Sequence, residues 1–309
     1  MTRAAGLLLV VVALGMAACQ VTRDAAGARA DSAQLTERAA TLARRLADSA
    51  SGAERALPVA RWLLPPQLTE VSGLTVTSDG RLLAHGDEFG RISVIDPKRG
   101  VILKEFRIGA RADFEGITMA HGLVYLVDSD GQLYIFREGA NGARVPYQLQ
   151  DTRLGRECEF EGVVFDPSRE ALLLPCKNVE KKSMRNNLVI YVWKLHELDP
   201  PRLSIITVPL ARVIGDNPWK SLRPTDITID PNTGNYVLIA AHERALVELT
   251  PNGDVVRAMP LPERDQHSQA EGVAITNDGI LIISDEASNR AASITLYRWP
   301  PAPAPPVTP

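Results

Sequence analysis

Cysteine, aromatic residues and long apolar runs are all scarce in this 309-residue chain. The three cysteines, Cys19, Cys158 and Cys176, do not have the spacing of a zinc site, and the five histidines show no pairing in sequence. No apolar run of about eighteen residues follows the N-terminus, so no helix of the mature chain is expected to span a membrane. With a net charge of −3 and no basic run longer than Lys181-Lys182, the chain also lacks the basic stripe of a nucleic-acid-binding protein.

The first 18 residues have the organisation of a secretory signal. Arg3 precedes the apolar run Leu7–Leu14, and small residues lead to Cys19. This arrangement resembles a bacterial lipoprotein signal, which implies that Cys19 becomes the lipidated first residue, and Gln20 after it favours the outer membrane, facing the periplasm. The alternative is an ordinary signal peptide in which Cys19 is incidental.

The two ends of the mature chain are poor candidates for a globular fold. Within residues 19–57, Leu35, Leu42 and Leu46 have helical spacing, which predicts a marginal helical spacer; disorder is the alternative. Residues 301–309 form a proline-rich tail that we expect to be disordered. The globular domain is therefore expected over residues 58–300.

A short phrase recurs through that domain. It reads DFEG at Asp113–Gly116, EFEG at Glu159–Gly162 and QAEG at Gln269–Gly272, with weaker copies that end at Gly73 and Asp226. Each copy is followed by an apolar, strand-like run. The spacing is in the mid-forties except for one gap of 64 residues, between Gly162 and Asp226. A period of about 40 to 45 residues with four strands per repeat is typical of a β-propeller.

The strand pattern predicts an all-β, five-bladed propeller. The fifth repeat has only three strands before the proline tail, and Val59–Leu64 could supply the missing fourth strand. Such pairing would close the ring and leave no free sheet edge between the chain ends. The alternative is six blades, with the extra blade hidden in the long gap.

Three phrases together resemble the SdiA-regulated β-propeller family of bacterial periplasmic proteins. They are EVSGL, HGDEFGRISVID and DFEGIT, in that order, and the likeness covers about residues 66–299. The resemblance implies a five-bladed propeller that holds a calcium ion. It implies no settled biochemical activity.

The first strand of each propeller blade lines the central channel, so the phrase places Glu115, Glu161 and Glu271 around one mouth. Three unpaired carboxylates would repel one another, and burial would raise their pKa values. Ca²⁺ fits such a set because it takes six to eight oxygen ligands with loose geometry. We therefore expect a Ca²⁺ site on these residues, with Asp226 as a further ligand. The alternative is that the glutamates accept backbone N–H bonds and bind nothing.

Further charged residues are expected on the same rim, where the turns between second and third strands meet the loops that enter each blade. A basic loop over an acidic channel could hold a small anionic ligand, although a solvated loop set is the simpler interpretation. The expected rim residues are Asp113, Glu159, Asp87, Glu88, Asp285, Glu286, Arg264 and His267, with the turn Lys177-Asn178 beside them.

Cys158 and Cys176 flank the hairpin of the third repeat at nearly equal distances from its turn. Pairing across that hairpin would set them side by side, and an oxidising periplasm permits a disulfide. Two free buried thiols are the alternative.

Two functions remain open from the sequence. The first is a membrane-anchored binding module that holds calcium and a ligand or envelope protein partner at its channel mouth. The second is a calcium-dependent hydrolase of esters, phosphoesters or lactones, with Glu161 or Asp113 as the base. The sequence contains no nucleophile elbow or phosphate-binding loop.

Overall fold

The computed structural model of the chain describes residues 32–48, 56–195 and 204–300. The signal segment with Cys19 and the tail at 301–309 lie outside these ranges. The chain divides into two compact units, Met1–Ala47 and Asp48–Pro309. A helix, α1, spans 32–48, in the segment for which the sequence left a helix or disorder open. Among the described residues, no helix has both the length and the apolar character to cross a membrane.

The second unit is a five-bladed β-propeller, as the repeat predicted, and each blade is an antiparallel sheet whose strands follow one another in sequence. The first two blades contain β2 (Val71–Val76), β3 (Leu82–Gly86), β4 (Phe89–Asp96), β5 (Val101–Arg111), then β6 (Phe114–Ala120), β7 (Leu123–Asp128), β8 (Gln132–Phe136) and β9 (Tyr147–Asp151).

The third blade differs because its first strand is broken into two pieces that both pair with the second strand. Its strands are β10 (Cys158–Phe160), β11 (Val164–Asp166), β12 (Ala171–Val179), β13 (Asn187–Lys194) and β14 (Ser204–Pro209). The fourth blade contains β15 (Asp226–Ile229), β16 (Tyr236–Ala240), β17 (Ala245–Leu249) and β18 (Val255–Pro260).

The fifth blade joins the two ends of the propeller. It contains β19 (Ala270–Ile275), β20 (Ile280–Asp285) and β21 (Ser293–Arg298), and β1 (Ala60–Leu63) completes it as the outer strand. Trp62 of β1 also donates its indole N–H to the carbonyl of Pro97 in the first blade, at 2.9 Å. The predicted closure of the ring by an N-terminal strand is therefore confirmed.

The long gap holds an elongated loop region instead of a sixth blade. β12 and β13 extend as a long hairpin with a 3-10 turn at Lys182–Met184, and a short helix, α2 (Leu210–Ile214), precedes the loop into β15. Every described strand belongs to one of the five blades.

The apolar core lies between neighbouring blades. β16 is buried at all five positions, because both faces of a blade are covered by its neighbours. One cluster, for example, joins Ile190 of the third blade to Leu238 and Val247 of the fourth. Period-two alternation of apolar and polar residues is correspondingly weak in the inner strands, which explains their continuous apolar runs in the sequence.

Cys158 and Cys176 form a disulfide, with their Cα atoms 5.5 Å apart. Cys176 lies opposite Phe160 in the β10–β12 ladder, so the bond runs diagonally across the two strands. The disulfide prediction is confirmed, and the bond fixes the start of the third blade's first strand to the strand beside it.

Candidate functional site

The glutamate of the repeated phrase is a bulged residue. The ladder between the first and second strands skips one position in the first, second and fifth blades, and the skipped residues are Ser72, Glu115 and Glu271. In the third blade, Glu161 lies in the break between β10 and β11. A bulge turns a side chain away from the regular alternation of the strand. The EG phrase therefore encodes a backbone irregularity that aims carboxylates at the channel mouth.

The glycine after each glutamate allows the first strands to approach closely around the axis. A Cβ on Gly116 would lie 2.5 Å from the Cα of Gly162. Gly162 itself has a φ of +91°, and a Cβ there would lie 2.7 Å from Oδ1 of Asp226. Side chains at these positions would push the inner strands apart, which explains why the phrase ends in glycine in all but the fourth blade.

The three mouth glutamates are largely buried and share one electrostatic environment. Burial, followed by the charge of Glu161, raises the pKa of Glu115 to about 9. Burial also raises the pKa values of Glu161 and Glu271 to about 7. The side chain of Glu115 makes no hydrogen bond or ion pair with any described residue. The three carboxyl groups are therefore close enough that ionisation of one disfavours ionisation of the others, and neighbouring positive charge offsets this repulsion only in part.

Lys177 supplies the compensating charge. Its ammonium group pairs with Oε1 of Glu161 and lowers the pKa of all three glutamates against the effect of burial. The neighbouring residue, Asn178, donates to Oε2 of Glu159 at 2.5 Å. Cys176, Lys177 and Asn178 thus each hold a residue of the first strand, and the third blade presents its carboxylates in a fixed arrangement.

Asp226 has a different role from the one expected. Its Oδ1 accepts the N–H of Ile227 at 2.8 Å, and its Oδ2 accepts the N–H of Val273 at 2.7 Å. The N–H of Leu74 donates to the same carboxylate. Because both oxygens are engaged by backbone donors, we remove Asp226 from the set of candidate metal ligands.

The donor set that remains is chemically suited to a hard cation. Glu115, Glu161 and Glu271 offer only carboxylate oxygens, which Ca²⁺ prefers. In the described residues, no group of three or more His, Cys, Asp or Glu side chains is arranged closely enough to hold a metal ion. The glutamates thus suit calcium by donor chemistry but not by their present separations, and a shared ion would require their carboxylates to move closer together.

Backbone hydrogen bonds join turns and loops of neighbouring blades along the rim. The N–H of Phe114 donates to the carbonyl of Asp87 at 2.7 Å, and that of Ala287 donates to Thr69 at 2.7 Å. Acidic groups accumulate on the arc formed by the fifth and first blades. There the charge of Asp87, with smaller contributions from Glu88 and Glu286, raises the pKa of Glu70.

Two residues expected on this rim lie inside the protein. His267 is fully buried; its Nδ1 lies 2.7 Å from Oδ2 of Asp285, and its Nε2 lies 2.7 Å from the hydroxyl of Tyr297. Asp285 is also buried. The pair therefore braces the fifth blade from within, and the structure places neither residue where a ligand would meet it. The sequence could not show this, because the partner Tyr297 is 30 positions away from His267.

The other expected rim residues remain accessible. Asp113, Glu88 and Arg264 are exposed, and Asp87, Glu159 and Glu286 are partly exposed. Arg264 lies 3.7 Å from Asp265 on the same loop. Glu286 accepts from Gln269, which also reaches Glu271 at 3.4 Å. The accessible rim is therefore continuous with the mouth through Gln269.

Sequence reasoning missed the importance of two residues. Lys177 was noticed only as part of a rim turn, although it is the single cation that pairs with a mouth glutamate among the described residues. The second residue is His85, which is completely buried and whose Nε2 has no hydrogen-bond partner. Burial lowers the pKa of His85 to about 4, so it is neutral at physiological pH.

Comparison with known proteins agrees with this architecture. The sequence model of the SdiA-regulated family matches residues 220–298, which include the fourth and fifth blades. This part of the chain is similar to the SdiA-regulated family. The match confirms the resemblance noted from the phrases in the first and second blades. No curated protein sequence matches the chain.

Several solved structures are similar to this chain at low sequence identity. Glutaminyl cyclase from Myxococcus xanthus is 13% identical with a TM-score of 0.56, over 78% of this chain and 96% of that one. Virginiamycin B lyase from Staphylococcus aureus is 17% identical with a TM-score of 0.42, over 78% of this chain and 74% of that one. The PQQ-bound aldose sugar dehydrogenase from Streptomyces coelicolor is 12% identical with a TM-score of 0.48, over 77% of this chain and 98% of that one. Of these three, the glutaminyl cyclase alone has a TM-score above 0.5, and at 13% identity this similarity concerns the fold alone.

Proposed function

We propose that the propeller is a binding module whose channel mouth takes a divalent cation, with Ca²⁺ as the expected ion, on Glu115, Glu161 and Glu271. The observation that carries this proposal is the placement of three largely buried carboxylates at one mouth with a single lysine to offset them. Each of the three lies at a break in strand pairing, which maintains the arrangement at some cost to the sheet.

The same charge arrangement favours a partner of complementary charge. Glu70, Asp87, Glu88 and Glu286 make the rim acidic beside the mouth, whereas Lys181 on the opposite arc is paired with Glu157 at 3.0 Å. An envelope protein with a basic patch would complement the acidic arc and associate faster at low salt. A small anionic ligand would instead bind through the mouth cation.

The location of the protein is a prediction from the sequence alone. If Cys19 is lipidated, the propeller is tethered to the bacterial envelope through residues 19–57, with its globular domain in the periplasm. In that setting the disulfide Cys158–Cys176 would be maintained, because the periplasm is oxidising.

Thermal unfolding with and without Ca²⁺ tests the central proposal. A ligand that binds only the folded state adds about 2.7 kcal/mol at a hundredfold excess over its Kd. We expect Ca²⁺ to raise the melting temperature of the wild type, and Glu161→Gln to abolish the increase. Glu180→Gln is the matched control, since Glu180 pairs with Arg185 on a nearby loop away from the mouth. Equal melting of the wild type in Ca²⁺ and in chelator would reject the proposal.

A hydrolase remains the second candidate because of one observation. Glu115 and Glu161 interact electrostatically, and their pKa values are raised to about 9 and about 7, so one carboxyl retains its proton while the other titrates near neutrality. Pairs of this kind serve as acid and base in enzymes. A panel of ester, phosphoester and lactone substrates, assayed with Ca²⁺, tests this candidate. Turnover that disappears in Glu115→Gln and Glu161→Gln would favour it over simple binding.

A further inference from the structure

Lys177 is more exposed to solvent than the carboxylate with which it pairs. Its side chain is 30% exposed, whereas the side chain of its partner Glu161 is only 4% exposed. The lysine side chain is therefore partly accessible to solvent, and the glutamate side chain is not. The base of Lys177 is fixed, because the preceding residue, Cys176, is joined to Cys158 across the two strands.

The charge of Lys177 extends over the whole mouth. Its ammonium group pairs directly with Glu161, and Glu115 and Glu271 also lie close enough to interact with it electrostatically. One ammonium group is thus shared by three carboxylates, which is the electrostatic position that a bound cation would take. A divalent ion and the ammonium group would repel each other if both were present, and the repulsion is strong where solvent is partly excluded.

We propose that Lys177 is a tethered counter-cation that competes with divalent ions for Glu115, Glu161 and Glu271, and so sets the affinity of the channel mouth for them. This inference rests on the proposed function. With the ammonium group paired to Glu161, no three carboxylates of the described residues lie at metal-binding separations. Divalent binding would then require Lys177 to swing toward solvent before the glutamates close around the ion. A cation-dependent change would consequently begin in the third blade.

Isothermal titration of Ca²⁺ into the mature protein tests this competition. The variants are Lys177→Met, which removes the charge but keeps the length, and Lys177→Arg, which keeps the charge. Lys181→Met is the matched control, because Lys181 pairs with Glu157 outside the mouth. We expect Lys177→Met to bind Ca²⁺ about tenfold more tightly than the wild type, as for removal of one nearby like charge. Lys177→Arg and Lys181→Met should stay close to the wild type.

The outcomes separate this inference from the proposed function. If the wild type binds Ca²⁺ and Lys177→Met binds it equally or more weakly, competition is rejected while the binding function stands. If only Lys177→Met binds, the lysine blocks the site and competition is supported. If no variant binds, both ideas fail. Circular dichroism melts establish that each variant is folded, and the double variant Lys177→Met/Glu161→Gln removes the pair together. In that double variant the gain in affinity should be lost.

Discussion

The carboxylate of Asp226 and the backbone N–H of Val273 lie 2.7 Å apart and join the fourth blade to the fifth at the centre of the propeller. The same carboxylate accepts N–H groups from Ile227 in its own strand and from Leu74 in the first blade. One fully buried side chain therefore satisfies backbone donors from three blades. The fourth blade has Asp226 where the phrase ends in glycine elsewhere, and this carboxylate occupies the space beside Gly162.

Replacement of Asp226 by alanine should strongly destabilise the propeller. Each buried backbone N–H left without a partner costs about 1–3 kcal/mol, so we expect a loss of at least about 3 kcal/mol. Urea unfolding monitored by tryptophan fluorescence measures it. Asp113→Ala is the control, since Asp113 is exposed on the rim. A change below about 1 kcal/mol for Asp226→Ala would contradict the bridging role.

Gly162 and Gly142 form a second matched comparison. Both have positive φ values, +91° and +76°, so alanine is strained at either position. A Cβ on Gly162 would overlap Asp226, but none of the atoms around Gly142 lies within 4 Å of such a Cβ. Gly142→Ala should therefore lower the free energy of unfolding by about 1 kcal/mol, and Gly162→Ala should lower it by clearly more. Similar unfolding midpoints for the two variants would show that the central packing can relax.

The architecture was accessible from the sequence because it repeats. The phrase that ends at Gly116, Gly162 and Gly272 recurs with a fixed spacing, and the missing outer strand of the fifth blade pointed directly to the segment that contains β1. The disulfide was predictable for the same reason: a hairpin brings Cys158 and Cys176 together by local geometry alone. Features that follow from a sequence repeat or from a single hairpin can be predicted without knowledge of contacts between distant residues.

The chemistry of the site was less accessible, because it depends on contacts between distant residues. Asp226 carries the same kind of group as Glu161, but the N–H donors of Val273 and Leu74 come from other blades. In the sequence His267 likewise resembles a loop residue, whereas in the structure it is buried against Asp285 and Tyr297. Whether an acidic side chain is a ligand or a structural acceptor depends on these donors, and no spacing in the sequence reports them.

Removal of the Cys158–Cys176 bond should destabilise the third blade. The two residues are 18 positions apart, and a disulfide that closes a loop of this size contributes about 3 kcal/mol in the chain-entropy estimate. We expect the double variant Cys158→Ala/Cys176→Ala to unfold at a lower urea concentration than the oxidised wild type. The reduced wild type is the control, because it lacks the bond but keeps both sulfur atoms. If its stability matches that of the oxidised protein, the bond is dispensable.

Deletion of β1 should open the ring. Its backbone pairs with β21 from Ala60 to Leu63, and without it β21 becomes an unprotected edge. A chain that begins at Leu64 should aggregate or unfold at lower temperature, which light scattering and thermal melts detect. A chain that begins at residue 56 keeps β1 and is the control. Equal solubility and stability of the two truncations would show that β21 needs no partner.

The stability of the propeller in chelator should fall as the pH rises from 6.5 to 9. The pKa values of Glu115, Glu161 and Glu271 are raised from 4.5 to about 9, about 7 and about 7, so the folded protein binds more protons than the unfolded chain in this interval. Folding is then coupled to proton uptake, which becomes less favourable as the pH rises, so the free energy of unfolding decreases until the pH passes each folded pKa. His85 has the opposite effect near pH 6.5, because its folded pKa is lowered to about 4 from the usual value of 6.5, and it stops contributing above about pH 8, where the unfolded imidazole is neutral as well.

Urea unfolding at several pH values, in wild type and in Glu115→Gln, measures this dependence. The variant should lose the part of the decrease that continues toward pH 9, because Glu115 has the highest of the three pKa values. Saturating Ca²⁺ should flatten the curve of the wild type, since a bound cation favours the ionised carboxylates that burial disfavours. A wild-type curve that rises with pH in chelator would mean that the mouth glutamates are stably ionised without a divalent ion. Lys177 alone would then be sufficient to compensate them, and the electrostatic basis for a cation site would be removed.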